Sequence, residues 1–352
     1  MRIALMLGTA LFASFAQAQD TVGVVRGTVV SAEHGEPLSF ATVTVDSTKA
    51  VVFADSSGVF RIGRIAPGRH HVRARDLGYS PADTMVEIGP GQTLELKLVL
   101  PRVPYMLPKV AVSGKLRCRT PGINDSTMSP EVVTLANELV ANAERVHLLN
   151  ASQPYEYWIE ATLSRHSEYR PEIDNEEVDT LIFRSDDRHD YHKGDMIDHR
   201  FYGRMLTPRY GENADFIYLP ELEDLAVPGF VSTHCFTFGG IDTVAGQPEL
   251  RIDFRPLDKM GSADAAGSFF LDPSSFVAKR AVMHMTKGDH QVPPIWQLDA
   301  SIWYREIAPL IVVEDSARYT LVGGTALTGG EVTQVEQQRV IKYQPRRSKA
   351  GR

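Results

Sequence analysis

The stretch that decides the fold is Gly35-Glu36-Pro37-Leu38-Ser39-Phe40-Ala41-Thr42-Val43-Thr44-Val45. It opens with turn residues, and the apolar Ala41, Val43 and Val45 then alternate with polar positions. Since successive side chains of a strand point to opposite faces, this alternation predicts a half-buried strand that is entered through a turn.

Short β-rich runs of the same kind continue on both sides of this stretch. The predicted strands are residues 24–30, 40–45, 51–54, 59–65, 70–75 and 94–100. Turn-forming segments such as Asp55-Ser56-Ser57-Gly58 and Ala66-Pro67-Gly68 separate them. Strands of this length and spacing predict an all-β sandwich over residues 19–100.

The order of the motifs in this region is distinctive. The motifs are Gly27-x-Val29, Gly35-x-Pro37-Leu38-x-x-Ala41-x-Val43-x-Val45, Ala54-Asp55-x-x-Gly58-x-Phe60-x-Ile62 and Pro67-Gly68-x-His70-x-Val72 with Gly78-Tyr79. Together they resemble the carboxypeptidase regulatory-like domain. The resemblance implies a seven-stranded type of β-sandwich, related in fold to transthyretin and starch-binding modules.

The peptidase after which that family is named needs a zinc-binding His with a Glu three residues later. None of the 11 histidines has such a neighbour, and His-Glu-x-x-His and Gly-x-Ser-x-Gly are also absent from the sequence. We therefore expect no enzyme activity, no catalytic residues and no cofactor.

The first 18 residues have the pattern of a signal peptide. Arg2 is followed by an apolar run over residues 3–15 and by the small residues Ala16 and Ala18, which predicts cleavage before Gln19. No later run is apolar enough to span a membrane. We expect an exported protein of the bacterial cell envelope, located in the periplasm, at the outer-membrane periphery or outside the cell.

The composition is that of a globular protein, with 43% hydrophobic and 23% charged residues. The net charge of −7, which loss of Arg2 makes one unit more negative, argues against nucleic acid as a partner. An envelope protein, a glycan or a lipid remain as expected partners.

The chain has two cysteines, Cys118 and Cys235. In an oxidising compartment they are expected to form a disulfide. The alternative is a reactive thiol, but neither cysteine lies in a Cys-x-x-Cys or nucleophile motif.

Residues 101–128 are predicted to be a Pro-rich linker. Residues 107–114 of this linker are similar to the segment that follows the same domain in TonB-dependent outer-membrane receptors. The chain after Gly114 is too short for a 22-stranded receptor barrel, so the likeness favours at most an accessory role in outer-membrane transport.

One helix is predicted after the linker, with Ser129 as its cap and Pro130 at its first position. Its apolar stripe consists of Val132, Ala136, Leu139, Val140, Ala143 and Val146. Such a stripe indicates packing against a sheet, and a partner-binding helix is the alternative.

Ten further β-rich runs follow and predict a curved antiparallel sheet or half-barrel. They are residues 155–163, 179–184, 216–219, 231–238, 249–254, 267–271, 276–285, 296–305, 311–321 and 332–343. The second domain is therefore predicted over residues 129–345, and residues 346–352 are predicted to be a basic disordered tail.

The hairpin at residues 267–280 resembles those of lipoprotein-carrier (LolA/LolB-like) envelope domains. Its features are Leu271-Asp272-Pro273 at the end of one strand and Phe276, Val277, Lys279 and Arg280 at the start of the next. The resemblance implies a bent sheet whose concave face could shelter an apolar ligand.

A cluster of imidazoles and carboxylates is the one candidate metal site. It contains Asp186, Asp187, His189, Asp190, His192, Asp195, Asp198 and His199, of which His189, His192, His199 and Asp195 are the candidate ligands. Because His189 and His192 are three residues apart and Gly194 follows, an exposed loop is the alternative. A metal-dependent hydrolase that uses this cluster is the competing functional hypothesis.

Five aromatic residues could line a ligand groove. They are Tyr155, Tyr157, Trp158, Trp296 and Trp303. The alternative is that they fill the core of the sheet. The sequence as a whole favours a non-enzymatic exported envelope protein with a binding or scaffolding role.

Overall fold

The structure is a computed structural model. It describes residues 22–46, 51–103, 117–123, 128–168, 171–187, 191–193, 197–198, 216–217, 219–288, 295–324 and 331–346. The predicted signal peptide, the receptor-like segment 107–114 and nearly all of the basic tail lie outside these residues. Within the described ranges, no helix is both long and apolar enough to cross a membrane.

The N-terminal part is a sandwich of seven strands. They are β1 (Gly23–Ser31), β2 (Thr42–Val45), β3 (Val51–Phe53), β4 (Val59–Ile65), β5 (Gly68–Arg75), β6 (Ala82–Ile88) and β7 (Thr93–Leu100). One sheet has the order β4-β1-β7 and the other β3-β2-β5-β6. Ala41, Val43 and Val45 are buried between the sheets, as their alternation predicts.

Strand β6 is the one sandwich strand that the sequence did not reveal. Its side chains alternate between intermediate and exposed positions, and only the last, Ile88, is fully buried. A strand with so little buried apolar surface has only a weak hydrophobic pattern.

The turn between β3 and β4 is built by its sequence. The Asp55 Oδ1 atom accepts hydrogen bonds from the backbone N–H groups of Ser57, at 2.8 Å, and Val59, at 3.0 Å. Gly58 has a φ of 72°, and a Cβ there would lie 2.7 Å from the carbonyl oxygen of Val29. Glycine is therefore required at this position.

The C-terminal part combines helix α1 (Pro130–Ser152) with eleven strands. They are β8 (Tyr155–His166), β9 (Asn175–Arg184), β10 (Ile197–Asp198), β11 (Phe216–Ile217), β12 (His234–Val244), β13 (Gln247–Pro256), β14 (Asp264–Leu271), β15 (Ala278–Thr286), β16 (Ile295–Ala308), β17 (Ile311–Gly324) and β18 (Glu331–Pro345). A four-residue helix, α2 (Pro228–Val231), precedes β12, and 3₁₀ turns lie at Pro171–Ile173 and Leu222–Ala226.

Nine of these strands form one antiparallel sheet with the order β12-β13-β14-β15-β16-β17-β18-β8-β9. The sheet is open, with β12 and β9 at its two edges, so the prediction of a mainly β fold with one helix and a large antiparallel sheet is confirmed. Of the predicted run at 216–219, the described strand β11 pairs with β10 in a separate two-stranded sheet.

We call the side of this sheet that packs against α1 the inner face, and the opposite side the outer face. Large side chains of the sheet, including Phe236, Phe254 and Phe269, are buried on the inner face together with Leu139 of α1. Ser129 caps the helix by accepting a hydrogen bond from the Val132 N–H, at 3.4 Å, as predicted.

The last part of the predicted linker lies against the edge strand β12. We call residues 117–123 the strap. A disulfide joins Cys118 to Cys235 of β12, which confirms the predicted pairing, and the Cα atoms are 5.5 Å apart. The N–H of Gly122 also donates to the carbonyl oxygen of His234, at 2.8 Å. The strap is thus fixed along the edge of the sheet.

Candidate functional site

A trough of about 1030 Å³ crosses the outer face over strands β13 to β16. Its floor is made of small or medium side chains that lie side by side on neighbouring strands. Ser268 pairs with Val282, and Val282 pairs with Ser301. We call this depression the outer trough.

The side chains next to the floor are polar and charged. In the adjacent row Ala266 pairs with His284, and His284 pairs with Asp299; both His284 and Asp299 are exposed. Among the residues that the structure describes, the outer trough is lined by four basic side chains, Arg117, Arg251, Arg255 and Lys287, and three acidic ones, Asp253, Asp258 and Asp299. The charges of these described residues are nearly balanced.

Several of these groups are held in place by one another. Asp253 accepts a hydrogen bond from the Ser268 hydroxyl, at 2.6 Å, and lies 3.1 Å from Arg251 Nε. Arg251 also reaches Asp242, at 3.3 Å. The outer trough is therefore a pre-organised polar surface, which lowers the entropy cost of binding.

Bulky side chains border the trough in the next row of the outer face. The Arg280 guanidinium carbon lies 3.4 Å from the centroid of the Phe270 ring, and Arg280 pairs with Trp303 across the strands. Trp303 is 41% exposed. Sequence reasoning missed this site, although Arg251, Asp253 and Arg255 alternate along β13 and could have indicated a polar outer face.

One cluster has residue types found in catalytic sites, but it is inaccessible. The Tyr191 hydroxyl donates to Asp264 at 2.5 Å, and His234 Nε2 lies 3.6 Å from the same carboxyl group. His234 and Asp264 are 0% exposed and Tyr191 is 4% exposed. Burial, together with the contact with Asp264, raises the pKa of Tyr191. All three side chains are thus closed off from solvent in this structure.

The structure does not bring the five predicted groove aromatics together. Tyr155 and Tyr157 belong to a cluster with Tyr343, and Tyr157 is only 5% exposed. Trp158 contacts Lys342, whose Nζ is 4.1 Å from the ring centroid. Trp296, at the start of β16, and Trp303 are exposed, and only Trp303 borders the outer trough.

The candidate metal ligands are described only in part. His192 is exposed, whereas His189, Asp195 and His199 lie outside the described residues. Among the residues that the structure does describe, no group of three His, Cys, Asp or Glu side chains could hold a metal ion. The metal hypothesis for this segment stays a prediction.

A second set of polar residues that the sequence analysis missed joins the sandwich to α1. We call this contact the seam. Arg145 of α1 donates to Asp76, at 2.9 Å, and their side chains are 3% and 2% exposed. Arg145 also donates to the carbonyl oxygen of Leu310, at 3.0 Å. A fully buried ion pair thus lies between the two parts of the chain.

Two more polar residues of α1 extend this network, Glu138 toward the sandwich and Asn142 toward the sheet domain. Glu138 accepts a hydrogen bond from the Gly78 N–H, at 3.0 Å. The Asn142 side chain donates to the carbonyl oxygen of Phe276 and accepts from the Ala278 N–H, both at 2.9 Å. Glu138, Asn142 and Arg145 recur at helical spacing, which is the signal that could have revealed them.

Apolar contacts surround this polar network. Leu77 of the sandwich is 3% exposed and belongs to the core cluster of the sheet domain. Phe40 and Phe53 pack against a small cluster that contains Leu149 and Val313. The sandwich is therefore docked on the sheet domain through a buried contact, and the two parts form one body.

Comparison with protein families supports the identity of the sandwich. A family model for the carboxypeptidase regulatory-like domain matches residues 24–101, which contain nearly all of strands β1 to β7. The resemblance in the sequence motifs is confirmed for this part of the chain.

Several solved structures are similar to parts of the chain. A LolA superfamily protein from Nitrosomonas europaea is 8% identical, with 60% of this chain and 94% of that chain covered and a TM-score of 0.32. The minor pilin GBS52 of Streptococcus agalactiae is 20% identical, with 26% and 49% covered and a TM-score of 0.21. This chain thus spans about half the length of that pilin. No curated protein matches the chain.

A putative carbohydrate-binding protein from Bacteroides uniformis is 9% identical, with 91% of this chain and 98% of that chain covered and a TM-score of 0.20. The hairpin at residues 267–280 also resembles those of LolA/LolB-like domains. These TM-scores are too low to carry an argument about function.

The last residues of the regulatory-like motif, Gly78-Tyr79, lie at the seam. Gly78 has a φ of 77°, and a Cβ at this position would contact the Phe276 ring at 3.4 Å. Tyr79 pairs with Arg102 and packs against the core of the regulatory-like domain. The loop that carries Gly78-Tyr79 therefore serves both parts of the chain.

The seam should make the stability of the protein depend on pH. Burial raises the pKa of Glu138 to about 7, against the lowering effects of the Gly78 N–H and of Arg75, and its value without burial is 4.5. Between these values the folded protein binds a proton that the unfolded chain does not. The stabilisation that comes from the protonated Glu138 is complete below pH 4.5 and is lost as the pH rises through about 7.

We expect the free energy of unfolding to fall by roughly 2–3 kcal/mol between pH 5 and pH 8, since one pKa unit corresponds to about 1.4 kcal/mol. In Glu138→Gln this fall should be smaller, because the amide has the same shape and does not ionise. Urea unfolding at several pH values measures it. Equal pH dependence in the two proteins would contradict the role of Glu138.

Proposed function

We propose that this protein is a non-enzymatic, exported binding protein of the cell envelope that holds a neutral glycan in the outer trough. The observation that carries the proposal is the trough itself, with a volume of about 1030 Å³ and a nearly balanced set of charged side chains. A site of this size can hold several sugar units.

The side chains of the trough suit a polyhydroxylated ligand. Carboxylates accept hydrogen bonds from hydroxyl groups, and guanidinium groups donate to them, so Asp299, Asp253 and Arg255 could together hold neighbouring hydroxyls. The four basic and three acidic groups give no strong preference for an anion or a cation. The exposed ring of Trp303 beside the trough offers an apolar surface on which a sugar ring can stack.

The outer face of the sheet is a better ligand-binding site than the inner face for a physical reason. Over the described residues, the inner face is filled by the side chains of the core cluster, several of which are completely buried. An apolar ligand under α1 would have to displace them. We therefore favour the polar trough over the sheltered apolar ligand that the lipoprotein-carrier resemblance implies.

The non-enzymatic role is supported by how the buried titratable groups are used. Tyr191, His234 and Asp264 are closed off from solvent, and Asp76 and Arg145 form an ion pair inside the seam. In this proposal the regulatory-like domain is a rigidly docked support for the sheet domain, and the disulfide suits an oxidising location.

The double variant His284→Ala/Asp299→Ala should weaken glycan binding by about tenfold or more, which corresponds to roughly 1.4 kcal/mol. Both side chains are exposed, so the fold should be retained. Isothermal titration calorimetry with soluble hexasaccharides of glucose and of N-acetylglucosamine, which are uncharged, measures the affinity.

The matched control is Glu160→Ala/Arg339→Ala. These residues are also exposed, pair across strands of the same sheet and lie outside the trough. The control should bind like the wild type. If no oligosaccharide of the panel binds the wild type, or if the control pair weakens binding as much as the trough pair, the proposal fails.

A further inference from the structure

Strand β9 forms one edge of the nine-stranded sheet and carries exposed apolar side chains. Among the residues that the structure describes, it pairs only with β8, in a regular register from Glu156 opposite Arg184 to Arg165 opposite Asn175. Its outer face carries Val178 and Ile182, which are 64% and 60% exposed. An open edge with exposed apolar side chains can accept another strand.

The other edge of the same sheet is protected. Strand β12 is interrupted by a register shift between Phe238 and Gly240, and the strap runs alongside it through the disulfide to Cys235. Bulges and covering segments are the usual means of protecting an edge from a second chain. Strand β9 contains no proline, lysine or register shift, and within the described part of the chain no segment pairs with its outer edge.

The sequence of β9 is complementary to itself. When two copies of β9 are placed antiparallel with Thr180 on the two-fold axis, Val178 lies opposite Ile182 of the second copy. Glu176 then lies opposite Arg184, and both pairs occur twice by symmetry. Apolar pairs and opposite charges across antiparallel strands are stabilising.

The remaining acidic residues also fit this register. Glu177 lies opposite Phe183 and Asp179 opposite Leu181, so no carboxylate faces another. If the axis moves to the preceding residue, Asp179 faces its own copy. Like charges directly opposite each other are destabilising, so the arrangement centred on Thr180 is preferred.

We propose that β9 is a self-association surface, through which a second copy of this chain pairs antiparallel at Thr180 and joins two nine-stranded sheets edge to edge. The interface is isologous, as expected for a two-fold dimer. The outer trough lies on β13 to β16, away from this edge, and remains open in both copies.

The first test is sedimentation velocity of the full-length mature protein over a range of concentrations. The wild type should show a reversible monomer–dimer equilibrium. Thr180→Lys places two ammonium groups opposite each other at the axis and should raise the dimer dissociation constant about tenfold or more. Ile241→Lys changes an exposed residue of the other edge strand and should leave the equilibrium unchanged.

The second test examines the register. Thr180→Cys should form a covalent dimer on mild oxidation, because directly opposite residues have Cβ atoms about 5 Å apart. Val178→Cys is the matched control, since its own copy would lie four residues further along, at about 13 Å, and should not cross-link. The native cysteines are already paired and do not interfere.

The proposal is overturned if the wild type is monomeric at every concentration, or if Ile241→Lys dissociates the dimer and Thr180→Lys does not. Cross-linking of Val178→Cys as efficiently as Thr180→Cys would overturn the register.

Discussion

Replacement of Arg145 by alanine is expected to lower the free energy of unfolding by about 3–5 kcal/mol. The substitution removes the guanidinium group that Asp76 contacts at 2.9 Å and leaves this carboxyl group buried without its partner. Burial already raises the pKa of Asp76 while Arg145 lowers it, so loss of Arg145 makes the ionised carboxylate still less favourable. Chemical denaturation monitored by circular dichroism measures the change.

An exposed ion pair provides the control for this prediction. Arg26 contacts Glu95 on the surface of the sandwich, where the side chains are 56% and 68% exposed. Arg26→Ala should change the free energy of unfolding by no more than about 1 kcal/mol. If Arg145→Ala is as mild as Arg26→Ala, the seam does not stabilise the protein in the way that we infer.

The second large effect is expected from the disulfide. The double variant Cys118→Ser/Cys235→Ser should lower the free energy of unfolding by about 4–5 kcal/mol in the chain-entropy model. The reason is the sequence separation of 117 residues, because the cross-link removes many conformations of the unfolded chain. Guanidinium chloride unfolding of the oxidised wild type and of the variant measures the difference.

Reduction of the wild type supplies an independent check. The wild type in excess dithiothreitol should unfold at the same denaturant concentration as the double variant. The double variant itself should not respond to the reductant. A wild type whose unfolding midpoint is the same with and without dithiothreitol would contradict the prediction.

The regulatory-like sandwich and the start of α1 could be predicted because their information is local. The alternation of Ala41, Val43 and Val45, the Asp55–Gly58 turn and the cap at Ser129 each depend on residues close together in the chain. Strand β6 escaped prediction because Ile88 is its one fully buried residue. The disulfide could be expected because the chain has only two cysteines.

The site residues were predictable only in small part. Of the five proposed groove aromatics, only Trp303 borders the outer trough, because period-2 alternation fixes which residues share a face of one strand but not how far apart different strands lie. The trough needs the pairing of β13 to β16, which brings Ser268, Val282 and Ser301 side by side.

By itself, the sequence determined six of the seven strands of the sandwich and its turns, the start of α1 and the existence of an antiparallel sheet behind it, because these follow from spacing along the chain. Only the tertiary structure decided that Arg145 meets Asp76, that the strap protects β12 and that β9 is left at the open edge. The physical reason is that each of these arrangements depends on residues far apart in sequence, which come together only when distant strands, and for Arg145 the sandwich as well, assemble in the folded chain.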